Sequence, residues 1–235
     1  FSNNKVVSFK DDLNHDNINF FSQFFIHSNS QRREEMLHCL KENIKLFDNV
    51  YLLNERIYTR QEMELEEEEY QKINQINVKD RLTYKIFLDF LKKEKIEGYC
   101  VLSNSDIFLN DTVNNLRRSS LSLEKSIFSI SRTEYKPIDG NLEKFMRPDS
   151  QDSWVIHSNF LDMDTEPFDI ILGKPGCDNR VTLLFHQQGF KVYNPPYFVR
   201  IYHYHREEKR DYGRKDTIRG PYLYPEPIKD VSIYD

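Results

Sequence analysis

The sequence predicts an α/β fold built on a mostly parallel sheet, and two stretches carry that expectation. In the first, an apolar run at 20–26 with Phe at 20, 21, 24 and 25 is followed by Met36, Leu37, Leu40 and Ile44 at helical spacing. A second strand pattern then follows at 49–55. Strand, helix and strand in this order and spacing form a βαβ unit, and such units build parallel sheets. The second stretch is Tyr99-Cys100-Val101-Leu102-Ser103-Asn104-Ser105-Asp106-Ile107-Phe108, a strand-forming run that ends in small polar residues and a carboxylate. Strands of such sheets present functional groups at their carboxyl ends, where α/β folds bind ligands. A carboxylate there can hold a hard cation, or it can close an Asx-type turn that caps the next helix.

The remaining elements follow in order. Lys5–Phe9 reads as a first short strand. Ser30 is the expected N-cap of the first helix, and the acidic run from Gln61 to Gln71 reads as a solvated helix or loop. An amphipathic helix is expected over 78–93 from Leu82, Ile86, Phe87, Leu88, Phe90 and Leu91. It leads into the strand that ends at Asp106. Asp111 is expected to cap a helix through Leu116, and 126–131 reads as a strand. The second half is rich in proline, with strands expected at 153–156, 190–193 and 197–204 and a helix at 179–188.

Composition narrows the function. The 235 residues are 38% hydrophobic and 14% aromatic, enough for a sizeable core in one large domain or two small ones. Charged residues make up 30%, but the net charge is only -5, which gives no electrostatic footprint for nucleic acid. No apolar run is long enough to span a bilayer and no signal-peptide pattern opens the chain. Three dispersed cysteines without a CxxC argue against a disulfide framework or a cysteine zinc site and point to a reducing, cytoplasmic setting. An opening Phe1, not Met, suggests a unit cut from a longer chain. No internal repeat or linker is visible, so residues 1–235 read as a single domain.

Three polar clusters in the second half have no periodic explanation. Asp149-Ser150-Gln151-Asp152-Ser153-Trp154 puts two carboxylates and the only tryptophan at a strand entrance; the indole suits a sugar ring or the core. In Gly173-Lys174-Pro175-Gly176-Cys177-Asp178-Asn179-Arg180 a tight loop opens a helix, with Asp178 a cap or a catalytic acid. In Arg200-Ile201-Tyr202-His203-Tyr204-His205-Arg206 the strand period puts both imidazoles on one face, where they suit a metal or a phosphate. Earlier, Arg81 sits where it can reach a diphosphate or pair with Asp80.

Taken together these clusters resemble glycosyltransferases of the GT-A fold, most closely a small family that includes chlorella-virus enzymes thought to glycosylate the capsid and related bacterial proteins. The resemblance runs in order along nearly the whole chain, through Arg33-Glu34-Glu35 to Cys39-Leu40 and Asn43, Leu52-Leu53-Asn54-Glu55 and Arg81-Leu82-Thr83-Tyr84. It continues through Ser103-Asn104-Ser105-Asp106-Ile107, the Ser150–Trp154 and Gly176–Arg180 clusters, the His203/His205 pair and Gly220-Pro221-Tyr222. It implies a central mixed, mostly parallel sheet flanked by helices. It also implies a nucleotide-sugar donor, UDP-linked before GDP-linked, a glycan or protein- or lipid-linked acceptor, and Mn2+ or Mg2+.

In that family a DxD triplet holds the cation; here it reads Asn104-Ser105-Asp106, with an amide in place of the first carboxylate. The implied metal ligands are Asp106, His203 and His205, and the implied catalytic bases Asp178 and Asp152. Donor contacts are implied for Glu55, Arg81, Asn104, Ser105, Asp106, Trp154 and Asn179. Asp106→Ala is then expected to abolish transfer and leave the fold largely intact. A sugar nucleotidyltransferase or an inert carbohydrate-binding scaffold of the same fold are the alternatives.

Overall fold

The computed structural model describes residues 15–136, 141–144, 147–204 and 214–228. The expected strand at Lys5–Phe9 and His205 lie outside the described residues. Seven strands form the main sheet in the order β10-β6-β9-β4-β1-β2-β3. They are β1 (Ile18–Ser22), β2 (Asn49–Asn54), β3 (Ile73–Asn77), β4 (Tyr99–Ser103), β6 (Ser126–Ile130), β9 (Ser153–His157) and β10 (Lys191–Tyr193). β9 runs antiparallel to β4 and β6, and every other pairing is parallel. The sheet is mixed and mostly parallel and is flanked by helices, as the sequence predicts.

The βαβ unit is β1, α1 (Ser30–Leu46) and β2. Along α1, Met36, Leu37, Leu40 and Ile44 are buried and pack on one face of the sheet, while α3 (Tyr84–Lys93) and α4 (Cys177–Gln187) cover the other. Asn29, not Ser30, caps α1, accepting from the Gln31 and Arg32 amides. In the acidic stretch only Glu67–Gln71 is helical (α2). Met63 and Leu65 leave the solvent and plug the core, so the run is not uniformly solvated.

Two further expectations need correction. β3 occupies residues to which the sequence pattern assigns no element, and the helix expected from 78 starts only at Tyr84 behind a Thr83 cap. β3 is an edge strand and only half-buried, so its apolar alternation is incomplete. Asp111–Arg118 forms a 3-10 helix capped by Asn110, not by Asp111.

A second sheet stands at the carboxyl end of β4, with order β5-β11-β7-β8: β5 (Ile107–Leu109), β7 (Thr133–Lys136), β8 (Asn141–Lys144) and β11 (Ile201–Tyr204). Asn43 of α1 ties it to the main sheet, donating to the Ile107 carbonyl at 2.9 Å and accepting from the Leu109 amide at 3.1 Å. No helix among the described residues is long and apolar enough to cross a membrane.

Candidate functional site

The strand order places the carboxyl ends of β1 and β4 side by side, where α1 leaves on one face and the chain after β4 turns into the second sheet. Such a switch point opens a crevice in doubly wound sheets. The small polar ends of three strands are knitted together there: Ser22 donates to the Ser103 carbonyl at 3.0 Å, and the Ser103 and Ser153 hydroxyls meet at 2.5 Å. Asp106 follows directly in the turn before β5.

Strand register brings its partners. β11 pairs with β5 so that His203 lies opposite Ile107, and β7 pairs with β11 so that Glu134 lies opposite His203. His203 Nε2 is then 3.2 Å from Asp106 Oδ2 and Nδ1 is 2.7 Å from Glu134 Oε2. Arg32, in the first turn of α1, donates to Asp106 Oδ2 at 2.9 Å and to the fully buried Glu35 at 2.6 Å. Arg132 joins Glu134 (2.6 Å) to Asp152 (2.8 Å), and Asn104 Nδ2 donates to the other oxygen of Asp152 at 2.8 Å. One chain of charge thus runs Glu35–Arg32–Asp106–His203–Glu134–Arg132–Asp152.

This coupling sets the protonation states. Burial opposes the ionised forms of Asp106 and Glu134, but His203 with Arg32, and His203 with Arg132, outweigh it. Asp106 sits well below the usual carboxylate range and Glu134 at about 2. Burial would lower His203, and the Asp106 and Glu134 carboxylates instead raise it to about 9. The sign of the linkage follows. The stabilisation from charged His203 is complete below its unfolded value of 6.5 and is lost as pH rises through about 9. Thermal unfolding measured from about pH 6 to about pH 10 is expected to show this decline in the native protein and a weaker one in His203→Gln.

Asp178 differs from the other acids. The α4 N-cap is Gly176, whose left-handed backbone (φ 78°) and close approach to the Ile218 carbonyl and Tyr222 hydroxyl exclude a side chain. Asp178 is therefore the second helical residue and not the cap. Its Oδ2 accepts the Gln151 amide at 3.2 Å and its Oδ1 the Asn179 side chain at 3.2 Å, but no cation pairs with it among the described residues. Burial, and then the neighbouring Asp152 charge, lift it to about 6, against the pull of the Asn179 and Gln151 backbone amides. Cys177 beside it is held at about 12, chiefly by burial, so it is no thiolate nucleophile.

Other expected site residues fall elsewhere. Trp154 is 2% exposed, packed edge-on to Tyr84 at 5.0 Å within the core, and offers no face to a sugar. Arg81 is exposed in the turn before α3 with its guanidinium 5.0 Å above the Phe25 ring. That turn is pinned to Gln23, just beyond β1, so Arg81 stays at the crevice mouth. Glu55 accepts from Tyr58 and is not bonded to the charged chain. Ser105 is half-buried in the turn beside Asp106.

Around Asp152 and Asp178, the buried Asn104 Oδ1, Gln151 Oε1, Asn179 Oδ1 and Trp154 Nε1 have no hydrogen-bond partner among the described residues. Buried polar atoms are nearly always paired with protein or ordered water, so these four are open to a water or a ligand group.

Of the expected metal set, Asp106 and His203 meet, and His205 lies outside the described residues. Asp106 Oδ2 is shared by Arg32 and His203, both His203 nitrogens face carboxylates, and Glu134 is held by Arg132. No group of three His, Cys, Asp or Glu side chains there is arranged to hold an ion. Arg32 and His203 share one oxygen of Asp106, Oδ2, so a cation there would compete with a guanidinium.

Arg32, Glu35, Arg132 and Glu134 were not picked out as site residues from the sequence. Arg32 and Arg33 in a first helical turn without an acid invert the preference of a helix dipole, a signal that could have found Arg32.

No protein-family model matches the chain, and no curated protein matches it. Among solved structures, the mannosyltransferase PcManGT from Pyrobaculum calidifontis, in complex with GDP-Man and Mn2+, is similar to it at a TM-score of 0.47 and 10% identity. The likeness covers 78% of this chain and 55% of that one, so this chain spans about half of that protein's length.

Proposed function

We propose that the chain is a glycosyltransferase, a single GT-A unit that moves a sugar from a UDP- or GDP-linked donor to a hydroxyl of a glycan or of a protein- or lipid-linked acceptor. The observation that supports this most is Asp178, a half-buried carboxyl without a cationic partner among the described residues, raised to about 6 and accepting the amide of Gln151, the neighbour of Asp152 in the charged chain. Transfer breaks the bond from the anomeric carbon to a phosphate oxygen and forms a bond from that carbon to the acceptor oxygen. The electron pair leaves with the diphosphate, and the acceptor loses its proton. Ionised Asp178 takes that proton, being unpaired and close in pKa to the working pH. Asp152 is tied to Arg132 and Asn104 and positions rather than abstracts.

The unpaired amide oxygens of Asn104, Gln151 and Asn179 suit the hydroxyl donors of a sugar. Ser105 and Arg81 are assigned to the nucleotide in the same reading. A nucleotidyltransferase is disfavoured because the segment after β1, Gln23-Phe24-Phe25-Ile26-His27-Ser28-Asn29, is not a glycine-rich basic loop.

Thermal unfolding with UDP-, GDP- and dTDP-sugars tests the reading. One nucleotide family is expected to raise the midpoint in step with its concentration, by about 2.7 kcal/mol of stabilisation at a hundred times Kd. A folded sample indifferent to all three would favour an inert scaffold.

A further inference from the structure

We propose that Arg32, and not a divalent cation, is the positive group set against Asp106, and that it receives the diphosphate of the donor directly. The inference rests on the glycosyltransferase reading and extends it to the donor's anionic part.

Three observations carry it. Arg32 stands in the first turn of α1, at the carboxyl end of β1, where the helix dipole adds positive potential and no acid of that turn cancels it. It is held in place by fully buried Glu35 on one side and Asp106 on the other, at 2.6 and 2.9 Å, so its orientation is set before any ligand arrives. Those two bonds use two of its five N–H donors, and a quarter of the side chain remains exposed. A planar fork with three N–H groups to spare suits phosphate oxygens.

A metal ion on Asp106 would have to displace this guanidinium from Oδ2 or bind Oδ1 with the guanidinium still beside it. Glu35 retains Arg32 nearby whatever happens at Asp106, so the repulsion would persist. The amide at Asn104, in the place of a first carboxylate, fits a site that no longer gathers ligands for an ion. Charge on the departing diphosphate is then met by a fixed side chain, with no ion to be recruited.

The test is calorimetric titration of UDP, GDP and inorganic pyrophosphate into the protein, once with EDTA and once with Mn2+. At least one nucleoside diphosphate is expected to bind with the same Kd in both, and Arg32→Gln to weaken it roughly 10–100-fold. Asp106→Asn separates the alternatives even if Arg32→Gln does not fold. It frees Arg32 from a competing carboxylate and is expected to tighten EDTA-insensitive binding a few-fold, whereas a metal site would lose binding. Affinity that appears only with Mn2+ and vanishes in Asp106→Asn overturns the proposal, as does no binding of any probe in either buffer. Metal-independent pyrophosphate binding lost in Arg32→Gln, without binding of UDP or GDP, would uphold the Arg32 site and defeat the nucleotide-sugar reading.

Discussion

Asp178→Asn is expected to lower sugar transfer by about 10²–10⁴-fold, the usual contribution of a positioned general base, with donor binding unchanged. The substitution keeps shape and one acceptor oxygen for the Gln151 amide, and removes proton abstraction together with the bond accepted from the Asn179 side chain. Its effect on stability runs the other way. Burial raises the folded Asp178 from 3.8 to about 6, so the native state favours the protonated acid. The associated stabilisation is complete below 3.8 and is lost as pH rises through about 6. At neutral pH the ionised group is a liability, and the neutral amide removes it. The variant is therefore expected to unfold at the same or a higher temperature than the native protein at about pH 7.5. Transfer by the native protein is expected to rise with pH through a limb centred near 6, and that limb to be missing from the residual activity of the variant. A drop in both transfer and unfolding temperature would mean that Asp178 acts in the fold and not on the substrate.

The second large effect concerns stability. Asp106→Ala is expected to destabilise the protein by about 3 kcal/mol, because it strands Arg32 and His203 beside one another with one counter-ion fewer. For a domain of this size that is a fall of about 6–12 °C in Tm, readable by calorimetry. Asp106→Asn, which keeps an acceptor for both neighbours, is expected to lose much less. The sequence suggested that the alanine variant would leave the fold largely intact; the structure corrects this, since Asp106 is 17% exposed and shared by two cationic groups. Loss of transfer in Asp106→Ala would by itself say nothing of metal. An alanine variant as stable as the native protein would show that Arg32 and His203 do not depend on Asp106.

What the sequence determined by itself was local. The period of the apolar residues in α1, the strand-forming run of β4 and the polar residues at its end placed a βαβ unit and a carboxylate at the carboxyl edge of a mostly parallel sheet. The turn residues around Gly176 placed Asp178 at the start of a helix. These features follow from steric and hydrophobic preferences that act within a few residues, so they can be read without the partners. Tertiary structure alone decided which charges meet. Arg32 reaches Asp106 across 74 positions, where α1 packs beside the turn before β5, and His203 reaches Glu134 across 69, a contact set by the register of β7 and β11. The second sheet set His203 against the carboxylate expected to hold a metal, and the pairing of β9 with β4 and β6 put Trp154 into the core, because which face of a strand is buried depends on what packs against it. Asp178 drew its raised pKa from that packing too: its acidity is a property of the interior around it, and no neighbour in the chain encodes that.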